Sequence, residues 1–400
     1  MAVVSPAGDS YHEMMTTKRK PPRYQPPLPE KYLRAASDEL RRDALEQKAR
    51  LGADLRILGH HYQNDEVIDL ADFTGDSLRL SQLAAQQRQA RYIVFCGVHF
   101  MAESADVLSS PEQAVILPNM RAGCNMADMA DADAVAAALD ELSAMSGGAR
   151  IVPITYVNSS AAIKALTGRA GGACCTSSNV RNVFQWALAA SEAGGAGAKK
   201  ILCVPDQHLG RNTAAAMGYG DDACALYDPA LPNGGISPDA AARATFFLWK
   251  GFCYVHQRFT PEHVQAVRQR HPGIRVIVHP ECPREVVRLA DASGSTEQII
   301  RAVDEAPEGS QWAVGTESNL VNRLARRHPE QFIRVLTDAP ALCQTMHFID
   351  LPHLLWVLDN LAEGNVVNQV TVEPADAADA RLALDRMIAI KAVKEVTTRD

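Results

Sequence analysis

The 400-residue chain has no long hydrophobic run, no excess of basic residues and no glycine-rich nucleotide signature. Its longest strongly apolar stretch, Phe246–Val255, is ten residues and is broken by Lys250, far short of the ~20 residues that a membrane-spanning helix needs. Forty Lys+Arg against 47 Asp+Glu leave a net charge of −7, which argues against a nonspecific grip on nucleic acid or on an anionic membrane surface. In Met1–Glu30, Lys18, Arg19 and Lys20 precede Pro-rich sequence with no apolar core, so no secretory signal is predicted. GxGxxG after a strand, GxxxxGK[ST] and GxSxG are all missing, which removes the signatures of dinucleotide, P-loop and hydrolase-elbow sites.

What is present is nine cysteines: Cys96, Cys124, Cys174, Cys175, Cys203, Cys224, Cys253, Cys282 and Cys343. An odd number spread over a long chain, mostly within apolar segments, does not read as a secreted disulfide framework. It predicts a reducing, cytoplasmic setting in which each cysteine is a buried small hydrophobe, a nucleophile or a metal ligand. Cys96, Cys174, Cys175 and Cys203 read as packing residues, and Cys224 as incidental.

Residues 1–30 read as a flexible Pro-rich leader, followed by an amphipathic helix over Lys31–Leu51; together 1–45 precede the folded body. Short β-branched runs then alternate with Ala/Leu-rich stretches, the pattern of an α/β protein with parallel sheets. Strands are predicted at Leu55–Gly59, Tyr92–Cys96, Ala114–Leu117, Ile151–Val157, Lys200–Pro205, Arg275–His279, Trp312–Val314 and Phe332–Leu336. Helices are predicted at Ser77–Arg88 and Thr260–Arg270. Three blocks, 46–135, 136–260 and 261–350, each alternate strands with helices and each close on a cysteine loop (Cys124, Cys253, Cys343), with 351–400 as C-terminal helices and tail. Apparent insertions at Glu192–Ala198 and Gly218–Ala240 read as surface loops. The spacings between the three loop cysteines are too long for a local zinc knuckle, so a shared site would have to be assembled by the blocks meeting.

Ligands in α/β sheets bind beyond the carboxyl ends of strands, and unusual polar residues gather there. GHHYQND (Gly59–Asp65), TYVNSS (Thr155–Ser160), CCTSSN (Cys174–Asn179), PDQHLGRNT (Pro205–Thr213), VHPEC (Val278–Cys282), SGST (Ser293–Thr296) and GTESN (Gly315–Asn319) follow or adjoin predicted strands. Any one of these segments is ordinary turn or N-cap chemistry. Their coincidence with three block-terminal cysteines favours a site.

These segments, with LPNMRAGC, GFCYVHQRFTP and VGTESNLVNRL, resemble the quinolinate synthase family in order from about Leu55 to Asn360. The resemblance implies three similar α/β/α domains with parallel sheets, related by a pseudo-threefold axis, with the active site at their interface. It implies condensation of iminoaspartate with dihydroxyacetone phosphate to quinolinate, phosphate and water, in NAD biosynthesis from aspartate. It also implies a [4Fe–4S] cluster held by Cys124, Cys253 and Cys343, with an open iron as Lewis acid; Cys282 is the competitor for the middle place. His60, Ser77, Tyr156, Asn158, Ser177, His279, Glu281, Ser295 and Thr296 match substrate-contacting positions, and Tyr62 and Glu281, assisted by His60, match proton-transfer residues. As a general acid Glu281 needs a pKa raised by burial. Arg211, Lys164 and His256 read as supporting residues. The leader, Ala130–Gly148, Gly218–Ala240 and Asp376–Asp400 lie outside the clear match, and His347 stands where a basic residue is expected. Neither nucleic acid nor membrane is an expected partner; a transient contact with an aspartate-oxidising enzyme is.

Two other classes stay open on the residues alone. A zinc enzyme would use the short spacing of Cys253 and His256. A noncatalytic iron–sulfur sensor would need the cysteines without the polar residues around them.

Overall fold

The computed structural model describes residues 23–391 and 397–398; the greater part of the predicted flexible leader, residues 1–22, lies outside them. Among the described residues three five-stranded sheets form. The first contains β1 (Leu55–His60), β2 (Phe73–Gly75), β3 (Tyr92–Cys96), β4 (Ala114–Ile116) and, from near the C-terminus, β14 (Gln369–Val370). The second contains β5 (Ile151–Tyr156), β6 (Ala173–Cys175), β7 (Lys200–Val204), β8 (Cys224–Tyr227) and β9 (Phe246–Trp249). The third contains β10 (Arg275–Val278), β11 (Ala292–Ser293), β12 (Gln311–Gly315), β13 (Phe332–Val335) and β15 (Thr397–Thr398).

Within each sheet four parallel strands follow the same order: β2-β1-β3-β4, β6-β5-β7-β9 and β11-β10-β12-β13. Only the fifth strand differs. It is β14 beyond β4 and β15 beyond β11, both antiparallel, and β8 beyond β9, parallel. The sheets are therefore parallel cores with two antiparallel edges. Interior strands such as β3 (YIVFC) and β7 (KILCV) are buried along their whole length, as expected of parallel strands covered on both faces.

Register makes the repeat quantitative. Gly59 pairs with Thr74 and Cys96, Thr155 with Cys174 and Val204, and Val278 with Ser293 and Gly315. These three residues occupy one place in the fold, so His60, Tyr156 and His279, the next residues along, share another. The loops repeat as well. The amide of Ile57 donates to Asp72 and that of Val276 to Asp291, each at 2.7 Å and each 15 residues apart.

Several predicted elements differ from those observed. The single helix expected over Lys31–Leu51 is two, Glu30–Arg34 and Ser37–Leu51, because Ala35 and Ala36 are extended. The supposed surface loop Gly218–Ala240 contains β8, whose Ala225 and Tyr227 are buried, and Ala130–Gly148 is largely the helix Ala132–Met145. Near the C-terminus the helix Pro374–Ala389 lies on Ala161–Arg169 so closely that a Cβ on Gly168 would sit 2.0 Å from the carbonyl oxygen of Asp379. Among the described residues no helix is long and apolar enough to cross a membrane.

Candidate active site

The carboxyl ends of the three sheets converge on one cavity, the place where ligands bind in α/β sheets. Its walls include His60, Tyr62 and Ser77 from the first sheet, Tyr156, Asn158 and Ser177 from the second, and His279, Glu281 and Thr296 from the third. Counted from the matched strand positions, these are three sets of equivalents: His60/Tyr156/His279, Tyr62/Asn158/Glu281 and Ser77/Ser177/Thr296. One backbone framework thus presents three different chemistries around a single space. Ser295 is placed otherwise. It is fully buried outside the wall, and its hydroxyl caps the helix Thr296–Asp304 by accepting from the Gln298 amide.

Cys124, Cys253 and Cys343 line the same cavity. Each is followed at the third residue by a short 3-10 turn (Ala127–Met129, His256–Arg258, Met346–Phe348) and at the seventh by a helix N-cap (Asp131, Thr260, Asp350). The amides of Ala127, His256 and Met346 face the respective sulfurs. Gly251 allows the middle loop its path, since a Cβ there would meet the Pro205 carbonyl oxygen at 2.2 Å. Burial holds all three thiols above their ordinary pKa, Cys124 to about 12, so without a cation they are neutral. Three convergent sulfurs, each met by an amide and, among the described residues, with no Lys or Arg in the cavity wall, fit a metal centre that draws them into the thiolate form. Cys282 does not line the cavity. Fully buried in the third-sheet core, it points its sulfur at the carbonyl of Gly315, 3.5 Å away.

The two histidines are oriented alike. Nδ1 of His60 accepts from the Tyr62 amide at 3.2 Å, and Nδ1 of His279 from the Glu281 amide at 3.3 Å. An accepting Nδ1 leaves the proton on Nε2, which for His279 donates to Ser177 Oγ at 3.2 Å. Burial lowers both imidazoles to a pKa of about 3. They are neutral N–H donors, suited to carboxylate and phosphate oxygens.

Glu281 reverses the expectation of a raised pKa. Burial alone pushes it upward, but the adjoining His256 and His279 rings and the hydrogen bonds from His256 and Tyr156 outweigh that and lower it. The His256 Nδ1 lies 2.9 Å from Glu281 Oε2, and the His256 ring stacks on His279 with centroids 4.4 Å apart. His256, read from the sequence as a supporting residue or a zinc ligand, lines the cavity itself. Tyr62 Oη meets Thr296 Oγ1 at 3.1 Å and Thr316 Oγ1 at 2.9 Å, and burial raises its pKa well above the ordinary value.

Cys253, His256 and Glu281 bring their ligand atoms within 4.8 Å of one another, the geometry a zinc reading would use. Both nitrogens of His256 are already engaged, Nδ1 with Glu281 and Nε2 with Thr316 at 3.2 Å, so a metal there would have to displace one of these bonds. Lys164 stands behind the wall, fully buried, with Nζ donating to Ser159 O at 2.5 Å. Arg211 is not part of the wall. His347 is also outside it, and its Nε2 lies 3.0 Å from Asn319 Nδ2. Asp76, Asn125 and Thr345 line the cavity without having been singled out in the sequence.

Comparison with known proteins gives a consistent answer. Residues 44–389 match the family model described as quinolinate synthetase A protein, a span that runs through Ala130–Gly148, Gly218–Ala240 and much of the tail. A quinolinate synthase of Acidobacterium capsulatum is 54% identical over 347 residues, 86% of this chain and 91% of the relative. One from Corynebacterium glutamicum is 50% identical over 370 residues, 92% of each chain, and one from Streptomyces coelicolor is 51% identical over 346 residues, 86% of each.

Proposed function

The chain belongs to the quinolinate synthase family, and from that membership we propose that the cavity between its three sheets is where iminoaspartate and dihydroxyacetone phosphate are joined into quinolinate. Its activity is that of a quinolinate synthase, a transferase of NAD biosynthesis. The observation that carries the siting is the convergence of three cysteines and three sets of equivalent polar side chains on one cavity.

Cys124, Cys253 and Cys343 would hold the [4Fe–4S] cluster, which with three protein ligands supplies a Lewis-acidic iron open to substrate. The chain's own residues supply the rest. Ser77, Ser177, Thr296, Asn158, Tyr156 and the Nε2–H groups of His60 and His279 donate to the oxygens of two polyanions without adding charge. Glu281, ionised, is a proton acceptor in the resting site, and Tyr62, neutral, is a donor. Enolisation, imine formation and dehydration all require such a pair. Both side chains line the same cavity, Glu281 buried and Tyr62 partly buried. The protein is expected to work in the cytoplasm on small molecules, receiving iminoaspartate from an aspartate-oxidising enzyme.

The test is anaerobic purification with iron, sulfide and zinc analysis, followed by assay of quinolinate formed from the two substrates. Quinolinate produced by iron- and sulfide-bearing protein supports the reading. Zinc in place of iron, or a cluster without turnover, overturns it.

A further inference from the structure

The three sheet repeats share more than their strands. Cys96, Val204 and Gly315 occupy one place in the fold, paired with Gly59, Thr155 and Val278 respectively. Two residues further on stand Val98, Asp206 and Glu317, each the N-cap of a ten-residue helix: His99–Leu108, Gln207–Ala216 and Ser318–Arg327. The first residue of each helix donates its amide to a carbonyl two residues ahead of a cavity cysteine: His99 to Ala122 at 2.8 Å, Gln207 to Gly251 at 3.0 Å and Ser318 to Ala341 at 3.0 Å. Every cysteine loop is thus tied to a helix start by the same main-chain bond.

At the cap itself the repeats part. Asp206 accepts from the Leu209 amide at 2.5 Å through Oδ1, and Glu317 accepts through Oε2 from the amides of Asn319 at 2.8 Å and Leu320 at 3.3 Å. The other oxygens, Asp206 Oδ2 and Glu317 Oε1, are buried and complete no hydrogen bond among the described residues. From outside their own helices, the amide of Cys253 faces the Asp206 carboxyl group and that of Cys343 faces Glu317. A buried oxygen without a donor is costly, and the facing cysteine amide is the donor that can offset that. Burial pushes both acids upward in pKa, and these amides oppose the push. Val98 offers the first loop nothing comparable. There the Cys124 sulfur is faced by two amides, those of Met126 and Ala127.

We propose that Asp206 and Glu317 are positioning residues for the metal centre: with one oxygen each starts a helix, and with the other it takes the main-chain amide of Cys253 or Cys343 and so fixes where that sulfur points. The proposal rests on the reading of the three cysteines as cluster ligands. A cysteine's amide and its Sγ hang on one Cα, so holding the amide from behind directs the thiol into the cavity. The sulfur receives its own amide from the third residue on, His256 or Met346. Acid and sulfur therefore do not compete for one N–H.

Asp206→Asn and Glu317→Gln keep the size of each side chain but leave a single acceptor oxygen. With that oxygen on the helix amides, an NH2 group is turned on the cysteine N–H. Both variants are purified anaerobically as holoenzyme beside the parent. Amide exchange should quicken about tenfold, the scale of one lost hydrogen bond to a charged group, in peptides covering Gly251–His256 for Asp206→Asn and Ala341–Met346 for Glu317→Gln. Iron loss to a chelator should rise by a similar factor in each. The capped helices and the loop Ala122–Ala127 should exchange as in the parent. Parental exchange in the cysteine loops overturns the proposal, and so does faster exchange confined to the capped helices, which would make the acids helix caps and nothing more. Each variant predicts a change in one loop and none in the other, so each is the other's control, and if one fails to fold the other still decides. A parent that carries no iron and sulfide overturns the cluster reading beneath the proposal, a result told apart by metal analysis alone.

Discussion

Asn319 donates from Nδ2 to the main-chain oxygen of Tyr62 at 3.1 Å, a bond from the third sheet's helix Ser318–Arg327 to the loop after β1 of the first sheet. One turn on, Arg323 takes the carbonyls on either side, His61 at 2.9 Å and Gln63 at 2.7 Å, while its Nε reaches Asp65 at 2.8 Å. Three consecutive peptide oxygens are thus held by one helix. Lysine offers a single point charge where arginine spreads a planar fork, so Arg323→Lys should loosen the loop. The expected outcome is a kcat reduced by roughly 10²-fold at most, since ~1 Å of misplacement can cost that much, with iron content unchanged. Steady-state kinetics beside iron analysis checks it.

Cys124→Ala, Cys253→Ala and Cys343→Ala should each abolish the brown absorption and the bound iron, whereas Cys282→Ala should keep both. Cys282 has its sulfur in the third-sheet core, so its loss should instead cost stability on the order of 1 kcal/mol for the small void left behind. Visible spectra with iron analysis, and thermal melts, separate the two effects.

His60 and His279 are neutral in the fold, each lowered from an ordinary value of 6.5 to about 3. Unfolded, they gain a proton below 6.5, so the unfolded chain binds more protons than the folded one between those values. Stability should be fully present above pH 6.5 and be lost progressively as the pH falls towards 3. Melting temperature measured against pH should show this slope, and His60→Asn should flatten part of it; an unchanged slope would count against the burial argument.

Gly168→Ala places a methyl group against the Asp379 carbonyl at 2.0 Å. Neither neighbour is a flexible side-chain tip, so the helices must part, at a cost of about 1–3 kcal/mol by analogy with overpacked cores. A lowered denaturation midpoint with cluster content preserved is the expected result.

How much of this was readable beforehand depended on locality. Strands such as β3 and β7 are compact runs of apolar and β-branched residues, and the sequence pattern finds them. β2 (FTG), β6 (ACC) and β11 (AS) carry no such run; they are strands only because a neighbour pairs with them. β8 lies in a Gly/Pro/Asp-rich stretch whose composition argues for a loop. At the site, the segments carrying His60, Tyr156 and His279 stood out because they lie at strand ends, while the choice of those residues came from the family resemblance. Thr316 and Asp76 were not, since their importance lies in contacts across sheets that spacing cannot express. The interval of seven residues from each cavity cysteine to the next helix cap was in the sequence all along (CNMADMAD, CYVHQRFT, CQTMHFID) and is the signal that would have separated Cys253 from Cys282.

Each of the three cavity cysteines belongs to a different sheet, and the seams between sheets run through the place where the sulfurs meet. A centre bound there would act as a keystone as well as a reagent. Oxidative damage to it would unfasten three lobes at once, so the enzyme's sensitivity to oxygen and its resistance to proteolysis at the seams should rise and fall together.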